Sequence, residues 1–536
     1  MASSSPAPIV IPPSQDFDGN DGPWSSFYLE IGSPAQDVKV LISTAGYQTW
    51  AVVPQGCIAS DPPDCATSRG GHFIPSQSST WNYNNESVNG TFTLGLETNL
   101  GYSGNGDYGY DTIVLGYQGS NGPSLQQQTI AGIATKEFYL GIFGLNPRST
   151  NFSTLDDPIP SYMANMKNRS MIPSLSWGYT AGNQYRLGTV LGSLTLGGFD
   201  SSRFVANDVT FAFNQVDERD LTVDIESIVM TTSNNSVHLL NNSIAAYVDS
   251  TIPYFYLPLE VCQHFEHAFG ILWDNDVQAY LVNDSLHKSL HAQNATVTFS
   301  IGNTTQSVKI SLPYAAFDLI AEYPLVTNTT RYFPLMPATN ESQYTLGRAF
   351  LQEAYVFLWF PRPDKFIWLT FPRYLTADYE RRNFSISQCS WDLGARENIV
   401  AIESPPSSEA NGKPISGTST TASTSGRIAG IVIGSSVGLL FVIFLAFVGK
   451  RKFGTNLGAE FHELAAKDAP FPNEVETPNA KTPELDGGSV LKPEIDGYRN
   501  PGAELEAGRY IQEMKSNEGI GPELAISNLQ ISELPS

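Results

Sequence analysis

The sequence indicates an all-β protein with two lobes, followed by one transmembrane helix and a disordered tail. Only 15% of the 536 residues are charged, whereas aromatic residues make up 11% and the chain holds 45 Gly and 35 Pro. This composition favours many short strands joined by turns. The chain is also too long for one ordinary core. Two apolar runs that end in similar polar triplets predict the two lobes, and one long uncharged stretch predicts the membrane helix.

The two apolar runs are Val38–Val53 and Ala245–Pro258. Both are rich in β-branched and aromatic residues, so each is expected to be a buried strand that stops at polar residues. The triplets that interrupt the runs are Ser43-Thr44-Ala45 and Asp249-Ser250-Thr251. A strand, a tight turn and a second strand are expected at 27–37, just before the first run. The sequence therefore predicts one polar loop at a strand end in each lobe.

A hairpin is predicted at Trp81–Gly116, where alternating strands flank a glycine-rich tip at 101–109. Together with the two polar loops, it gives the chain a resemblance to pepsin-type aspartic proteases, and most of all to the membrane-anchored type of fungal cell surfaces. The resemblance runs in the correct order over Trp24–Trp391. It implies a bilobal pepsin-like acid protease fold and an endopeptidase that holds an extended peptide between the lobes.

The resemblance also assigns roles to individual residues. Asp249 corresponds to one catalytic aspartate, and Ser43 stands at the position of the missing first aspartate. Residues expected to support the cleft are Thr44, Ser250, Thr251, Gly144 and Gly347. The two glycines end apolar strands that pass through the loops, where close backbones leave no room for a side chain. Either Tyr102 or Tyr108 is expected to act as the tyrosine of the flap that covers the peptide.

Peptide hydrolysis in this family uses two carboxyl groups that hold one water and share one proton. Ser43 binds water but does not accept its proton at neutral or mildly acidic pH. The sequence therefore predicts an impaired protease that binds peptides or surface polymers, with Asp249 titrating as a more ordinary carboxylate. The alternatives are a working endopeptidase in which another acid assists Asp249, and a structural cell-surface glycoprotein. The prediction of impairment requires that no other acid lies within hydrogen-bonding distance of Asp249.

The cysteine pattern predicts two disulfides in an oxidising compartment. Cys57 and Cys65 are eight residues apart in a loop rich in Pro, Gly and Asp, and are expected to close a small ring. Cys262 and Cys389 then pair in the second lobe, the alternative being free buried thiols. No metal and no cofactor is expected, because no zinc-binding Cys-x-x-Cys or His-Glu-x-x-His pattern is present.

The sequence places the two lobes outside a membrane. Residues 428–448 carry no charge and are followed by Lys450-Arg451-Lys452, which predicts one span, in the plasma membrane or at the cell surface, with a cytoplasmic C-terminus. Glycosylation sequons occur only before this span. They begin at Asn85, Asn89, Asn151, Asn168, Asn234, Asn241, Asn283, Asn294, Asn303, Asn328, Asn340 and Asn383. A signal peptide is not visible at the start of the sequence.

The expected domains are an N-terminal extension (1–23), two β lobes (24–208 and 209–391), a Ser/Thr/Pro-rich stalk (392–427), the membrane helix (428–449) and a disordered acidic tail (450–536). The net charge of −23 argues against nucleic acid as a partner, because few cations are present to neutralise phosphates. Gly430, Gly434 and Gly438 have the spacing that brings two membrane helices together, which indicates a transmembrane homodimer.

Overall fold

A computed structural model describes residues 5–86, 90–152, 158–186, 188–216, 219–302, 305–360, 383–391 and 396–403. All of them belong to one compact unit, Met1–Gly412. The predicted membrane helix, the tail and most of the stalk lie outside the described residues. Among the residues described, no helix is long and apolar enough to cross a bilayer.

Strands dominate the described part of the chain, so the expected strand-rich fold is confirmed, and it is consistent with a two-lobed pepsin-like arrangement. The strands are β1 (Ile9–Ile11), β2 (Pro13–Asp18), β3 (Trp24–Ile31), β4 (Gln36–Ser43), β5 (Thr49–Val52), β6 (Asn82–Tyr83), β7 (Thr91–Thr93), β8 (Asn105–Leu115), β9 (Ser124–Ile133), β10 (Gly141–Gly144), β11 (Leu175–Thr180), β12 (Ser193–Leu196), β13 (Gly198–Asp200), β14 (Phe211–Ala212), β15 (Thr222–Thr231), β16 (Ser236–Leu240), β17 (Ile244–Val248), β18 (Phe255–Pro258), β19 (Leu272–Asp274), β20 (Ala279–Val282), β21 (Thr296–Gly302), β22 (Ser307–Pro313), β23 (Leu319–Ala321), β24 (Thr330–Phe333), β25 (Leu335–Ala338), β26 (Thr345–Leu346), β27 (Ala354–Phe360), β28 (Asn383–Gln388) and β29 (Ile399–Ala401).

Helices are few and short. They are α1 (Cys65–Ser68), α2 (Tyr162–Asn168), α3 (Leu259–Phe269) and α4 (Asp284–Gln293), with 3-10 turns at Pro54–Gly56, Pro75–Gln77, Thr98–Leu100, Ser201–Arg203, Tyr314–Phe317, Glu341–Gln343 and Phe350–Gln352. The side chain of Ser161 caps α2 and that of Asn283 caps α4, each accepting a hydrogen bond from a backbone N–H of the first turn.

The first lobe is a nine-stranded sheet in the order β2-β3-β4-β10-β5-β9-β8-β6, with β7 paired to β8. The short strand β10 runs parallel to β4 and antiparallel to β5, so it lies between the two strands that flank the first polar loop. Strand β4 is almost wholly buried from Val38 to Ser43, which explains its continuous apolar sequence. Ser43 is the last residue of this strand.

The second lobe repeats the arrangement. Its eight-stranded sheet has the order β22-β21-β15-β17-β26-β18-β25, with β16 paired to β15. Strand β26 runs parallel to β17 and antiparallel to β18, as β10 does with β4 and β5. The second polar loop begins at Asp249, directly after β17. A four-stranded sheet, β19-β20-β24-β23, completes this lobe.

A six-stranded sheet, β1-β12-β11-β27-β28-β14, joins the two lobes through the antiparallel pair β11 and β27. Its first strand lies in the segment 1–23, which the sequence suggested was an extension. Strand β2, from the same segment, pairs with β3. Strand β29 lies in the expected stalk and pairs with β13. Both flanking segments therefore contribute strands to the folded unit.

Two glycines are required where a strand passes close to a polar loop. A Cβ atom on Gly144 would lie 2.4 Å from the carbonyl oxygen of Gly46, and one on Gly347 would lie 2.3 Å from that of Tyr254. Neither neighbour is a flexible side chain end, so any larger residue would push the backbones apart.

The cysteines form one of the two expected disulfides. Cys57 and Cys65 are bonded, whereas Cys262 and Cys389 are free and buried, so the expected bridge between them is wrong. Helix α3 buries Cys262 in the second lobe, where its thiol donates to the carbonyl of Leu257 at 3.6 Å. Cys389 follows β28 and contacts the hydroxyl of Thr180 at 3.4 Å. Burial raises the pKa of both thiols, that of Cys262 to about 12, so both remain protonated.

Candidate active site

The two polar loops meet and hold each other by reciprocal hydrogen bonds. The backbone N–H of Thr44 donates to Ser250 Oγ, and the backbone N–H of Ser250 donates to Thr44 Oγ1, both at 3.0 Å. Each hydroxyl also donates to a carbonyl of the opposite lobe: Ser250 to Ile42 at 2.7 Å and Thr44 to Val248 at 3.4 Å. The loops are therefore fixed relative to each other, with Ser43 and Asp249 beside the contact.

Ser43 and Asp249 are connected through the hydroxyl of Thr251. Thr251 donates its backbone N–H at 2.8 Å and its hydroxyl at 2.6 Å to Asp249 Oδ1. Because a hydroxyl has one proton to give, the 2.6 Å bond between Ser43 Oγ and Thr251 Oγ1 is donated by Ser43. Ser43 Oγ in turn accepts from the backbone N–H of Gly46 at 2.6 Å. Ser43 and Asp249 are fully buried.

Glu97 brings a second carboxyl group to Asp249. It lies in the hairpin between β7 and β8, and its side chain is buried with the residue only 8% exposed. The carboxyl groups of Glu97 and Asp249 lie close enough for each to change the pKa of the other. Glu97 Oε2 and Asp249 Oδ2 are buried and have no hydrogen-bond partner among the described residues. Glu97 is therefore an acidic residue beside Asp249 that the prediction of impaired catalysis did not include.

Of the two carboxyl groups, Glu97 holds a proton more readily than Asp249. Burial raises the pKa of Glu97 well above its ordinary value, and the adjacent Asp249 raises it further. Burial also raises the pKa of Asp249, but the hydrogen bonds from Thr251 and from Glu97 oppose this change. Asp249 is thus the carboxylate of the pair and Glu97 the acid. Asp249 is not the ordinary carboxylate that the sequence alone predicted.

Two arginines surround the pair. Arg348, only 3% exposed, donates from Nε to the carbonyl of Ser250 at 2.9 Å and from Nη2 to that of Thr251 at 2.7 Å. Its positive charge lowers the pKa of Asp249. Arg219 lies over the ring of Tyr247 at 4.8 Å, and its charge opposes the rise in the pKa of Glu97.

The two candidate flap tyrosines have different surroundings. Tyr108 is buried inside the first lobe and donates to Gln48 Oε1 at 2.8 Å, an atom that also accepts from the indole N–H of Trp50 at 3.1 Å. Tyr102 lies nearer the tip of the hairpin, close to Tyr256 of the second lobe. Of the two, Tyr102 is the one that reaches across the cleft.

The hairpin tip closes over the site. Asn99 Nδ2 donates to the carbonyl of Ser342 at 2.9 Å, and Gln343 Nε2 donates to the carbonyl of Asn99. On another side, Tyr323 of the second lobe donates to Asp61 of the first at 2.7 Å. A cavity of about 30 Å³, the size of one water, remains beside Tyr102, Thr251 and Arg348. The hairpin tip therefore leaves little open space beside these residues in this structure.

Sequence reasoning identified Ser43 and Asp249 but missed Glu97 and Arg348. Glu97 lies in an irregular hairpin tip, 152 residues before Asp249 in the sequence, and no spacing links the two. The signal available was an acidic residue in a glycine-rich hairpin predicted to cover the cleft. Arg348 directly follows the glycine of the predicted Leu-Gly strand end, which placed it near the second loop.

Comparison with known families agrees with this geometry. The family model described as eukaryotic aspartyl protease matches residues 27–364, more than half of the chain. The match includes both polar loops, the hairpin and the glycines that pass behind the loops. No curated protein matches the chain.

Proposed function

The chain belongs to the eukaryotic aspartyl protease family, and from this premise we propose that it binds an extended peptide, protein segment or surface polymer between its lobes and hydrolyses peptides poorly. Membership of the family is the reason to expect a cleft and a peptide-like ligand. The serine at position 43 is the reason to expect impaired catalysis, since the ordinary two-aspartate mechanism needs a carboxyl group at that position.

The observation that carries this proposal is the hydrogen bonding of Ser43. Its proton is given to Thr251, and its oxygen accepts from the backbone N–H of Gly46. A carboxylate at position 43 would accept from the N–H of Gly46 and would compete with Asp249 for the hydroxyl proton of Thr251. The serine hydroxyl instead bonds to these groups, but it is too weak a base to accept a proton from the attacking water.

The test is a comparison of wild type with Ser43→Asp and Asp249→Asn, using the purified full chain and an unstructured peptide library at acidic pH. General acid–base assistance contributes about 10²–10⁴ in rate, so Ser43→Asp should hydrolyse peptides faster than wild type by a factor in that range. Asp249→Asn should bind peptide saturably without cleaving it. Equal rates for wild type and Ser43→Asp would contradict impairment, and absence of saturable binding would contradict the binding role.

A second candidate function is that of a working aspartic-type endopeptidase in which another acid assists Asp249. The observation that favours it is the buried carboxyl group of Glu97 beside Asp249. Under this alternative the chain hydrolyses peptides without any substitution. The two candidates differ in the rate expected of wild type relative to Ser43→Asp.

We also propose that the protein is a single-pass glycoprotein of the plasma membrane or cell surface, with the two lobes outside and the possibility of pairing through its membrane helix. Exposure of the sequon asparagines supports the N-glycosylation expected of a domain outside the cell. The exposed ones are Asn85, Asn151, Asn168, Asn234, Asn241, Asn283, Asn294, Asn328 and Asn340. The test is the intact mass of the natural protein before and after enzymatic removal of N-linked glycans. An unchanged mass would contradict the proposed location outside the membrane.

A further inference from the structure

We propose that Glu97 supplies the acid that Ser43 no longer provides, so that Glu97 and Asp249 together form the proton-sharing pair of a slow peptide hydrolase. This inference rests on the proposed function, because it assumes that a peptide enters the cleft. It goes beyond that function by naming the residue responsible for the hydrolysis that wild type retains.

The position of Glu97 supports this pairing with Asp249. Its buried carboxyl group lies beside that of Asp249, and one buried oxygen of each group has no hydrogen-bond partner among the described residues. A water or a peptide group in the opened cleft could bond to both of these oxygens. The family's ordinary pair likewise presents two carboxyl oxygens to one water.

The backbone of Glu97 also supports this pairing. It has φ of 53°, a left-handed conformation that is uncommon for a residue other than glycine. The carbonyl of Glu97 accepts from the N–H groups of Leu100 at 3.0 Å and Tyr102 at 3.3 Å, which stabilises this conformation. Such local strain clusters at functional sites. The tip is therefore folded so that an acidic side chain points to Asp249, although burying two adjacent acids is unfavourable.

The surroundings divide the pair into an acid and a base. The titratable and charged groups that face the pair are Arg219, Arg348, Tyr247 and Tyr256. Arg348 lies on the Asp249 side and favours its ionised form. Burial and the neighbouring carboxylate keep Glu97 protonated. Two acids whose environments separate their pKa values are suited to act as general base and general acid.

The reaction would proceed as follows once a peptide lies in the cleft and the hairpin tip has closed over it. The carboxylate of Asp249 takes a proton from water, and the water oxygen bonds to the peptide carbonyl carbon while the C=O π pair moves to the carbonyl oxygen, which returns it when the C–N bond breaks. The Glu97 carboxyl gives its proton to the amide nitrogen, the C–N bond breaks, and the nitrogen leaves as an amine with the bonding electron pair. The proton held by Asp249 then passes to Glu97. One water is consumed, and both residues return to their starting states.

The test compares Glu97→Gln, Ser43→Asp and the double variant Ser43→Asp/Glu97→Gln, using the full chain. Glu97→Gln keeps the shape of the side chain and should lower peptide hydrolysis at least about 10²-fold. Ser43→Asp provides a second carboxyl group independently, so the double variant should retain the activity that Glu97→Gln alone loses. The exposed Asp107 lies on strand β8 of the same hairpin, and Asp107→Asn is the matched control expected to leave hydrolysis unchanged.

The pH profile adds a readout that a purely structural role would not change. Wild type should give a bell-shaped profile that falls on the acidic side when Asp249 is protonated and on the alkaline side when Glu97 loses its proton. Wild-type hydrolysis that persists in Glu97→Gln would overturn the inference. The inference would also be overturned if wild type showed no hydrolysis and Glu97→Gln bound peptide more tightly. That result would identify Glu97 as a residue that only closes the cleft, and it would leave the proposed function intact. Failure of every variant to bind peptide would overturn both proposals.

Discussion

Thr251 changes the chemistry of both its neighbours. The family resemblance places a glycine at this position, whereas the threonine hydroxyl here donates to Asp249 and accepts from Ser43. Its backbone does not adopt a left-handed conformation, so the loop does not need glycine. A carboxylate at position 43 would compete with Asp249 for the single proton of Thr251. Serine at position 43 and threonine at position 251 are therefore compatible, because the serine donates a hydrogen bond to Thr251, whereas a carboxylate would have to accept one from it.

Thr251→Val is expected to raise the pKa of Asp249. The hydroxyl of Thr251 lowers that pKa by donating to the carboxylate, and valine keeps the shape while removing the donor. The acidic limb of any pH–activity profile should then move to higher pH, and ¹³C NMR of the labelled carboxyl group should report the same shift. Thr93→Val, at an exposed threonine on strand β7, is the control. An unchanged titration of Asp249 would show that the Thr251 hydroxyl does not stabilise its charge.

The hairpin between β7 and β8 determines access to the site. Its tip is tied to the second lobe by Asn99, which contacts Ser342 and Gln343, and by Tyr102, which reaches Tyr256. The same tip carries Glu97. Under the proposed function, opening of the cleft separates Glu97 from Asp249, and closure over a bound peptide returns Glu97 to the site. The same hairpin tip therefore covers the cleft and carries the second carboxyl group.

Asn99→Ala should make the hairpin tip open more readily. It removes the side-chain bond to the carbonyl of Ser342 but leaves the carbonyl of Asn99 available to Gln343. A bond of this kind contributes about 0.5–1.5 kcal/mol, so the open fraction should rise roughly 2- to 10-fold. Faster amide hydrogen exchange at Leu100 and Tyr102, with faster peptide association, would confirm the effect.

Asn105→Ala serves as the control for this prediction, because Asn105 is exposed on strand β8 of the same hairpin. It should change neither the exchange rates at the tip nor the association rate. Equal behaviour of Asn99→Ala and wild type would show that the bond to Ser342 does not hold the cleft closed.

The two lobes were predictable because each repeats one local pattern, an apolar strand that ends in a polar triplet. That pattern depends on neighbouring residues and is therefore visible in the sequence. The contact between Glu97 and Asp249 depends on how a hairpin tip from one lobe reaches across to the other, which no local periodicity records. The free thiols of Cys262 and Cys389 escaped prediction for the same reason, since an even number of cysteines does not reveal which of them lie together.

The stability of the folded unit should respond to pH through Glu97. The folded protein holds a proton on Glu97 at pH values where the unfolded chain, with an ordinary glutamate pKa of about 4.3, has lost it. The folded state then binds more protons at Glu97 than the unfolded state, so the contribution of Glu97 to stability is greatest below pH of about 4.3 and is lost as pH rises through the raised pKa. Each unit of upward pKa shift makes this loss about 1.4 kcal/mol larger.

Glu97→Gln should remove this loss, because glutamine stays neutral while preserving a donor to Asp249. Urea unfolding of both proteins at a series of pH values should show a stability difference that is small in acid and grows in favour of the variant toward neutral pH. Asp107→Asn, which changes an exposed carboxyl group on the same hairpin, should show no such growth. A difference between Glu97→Gln and wild type that stays constant with pH would mean that folding leaves the proton affinity of Glu97 unchanged, and the one-proton pair would have to be abandoned.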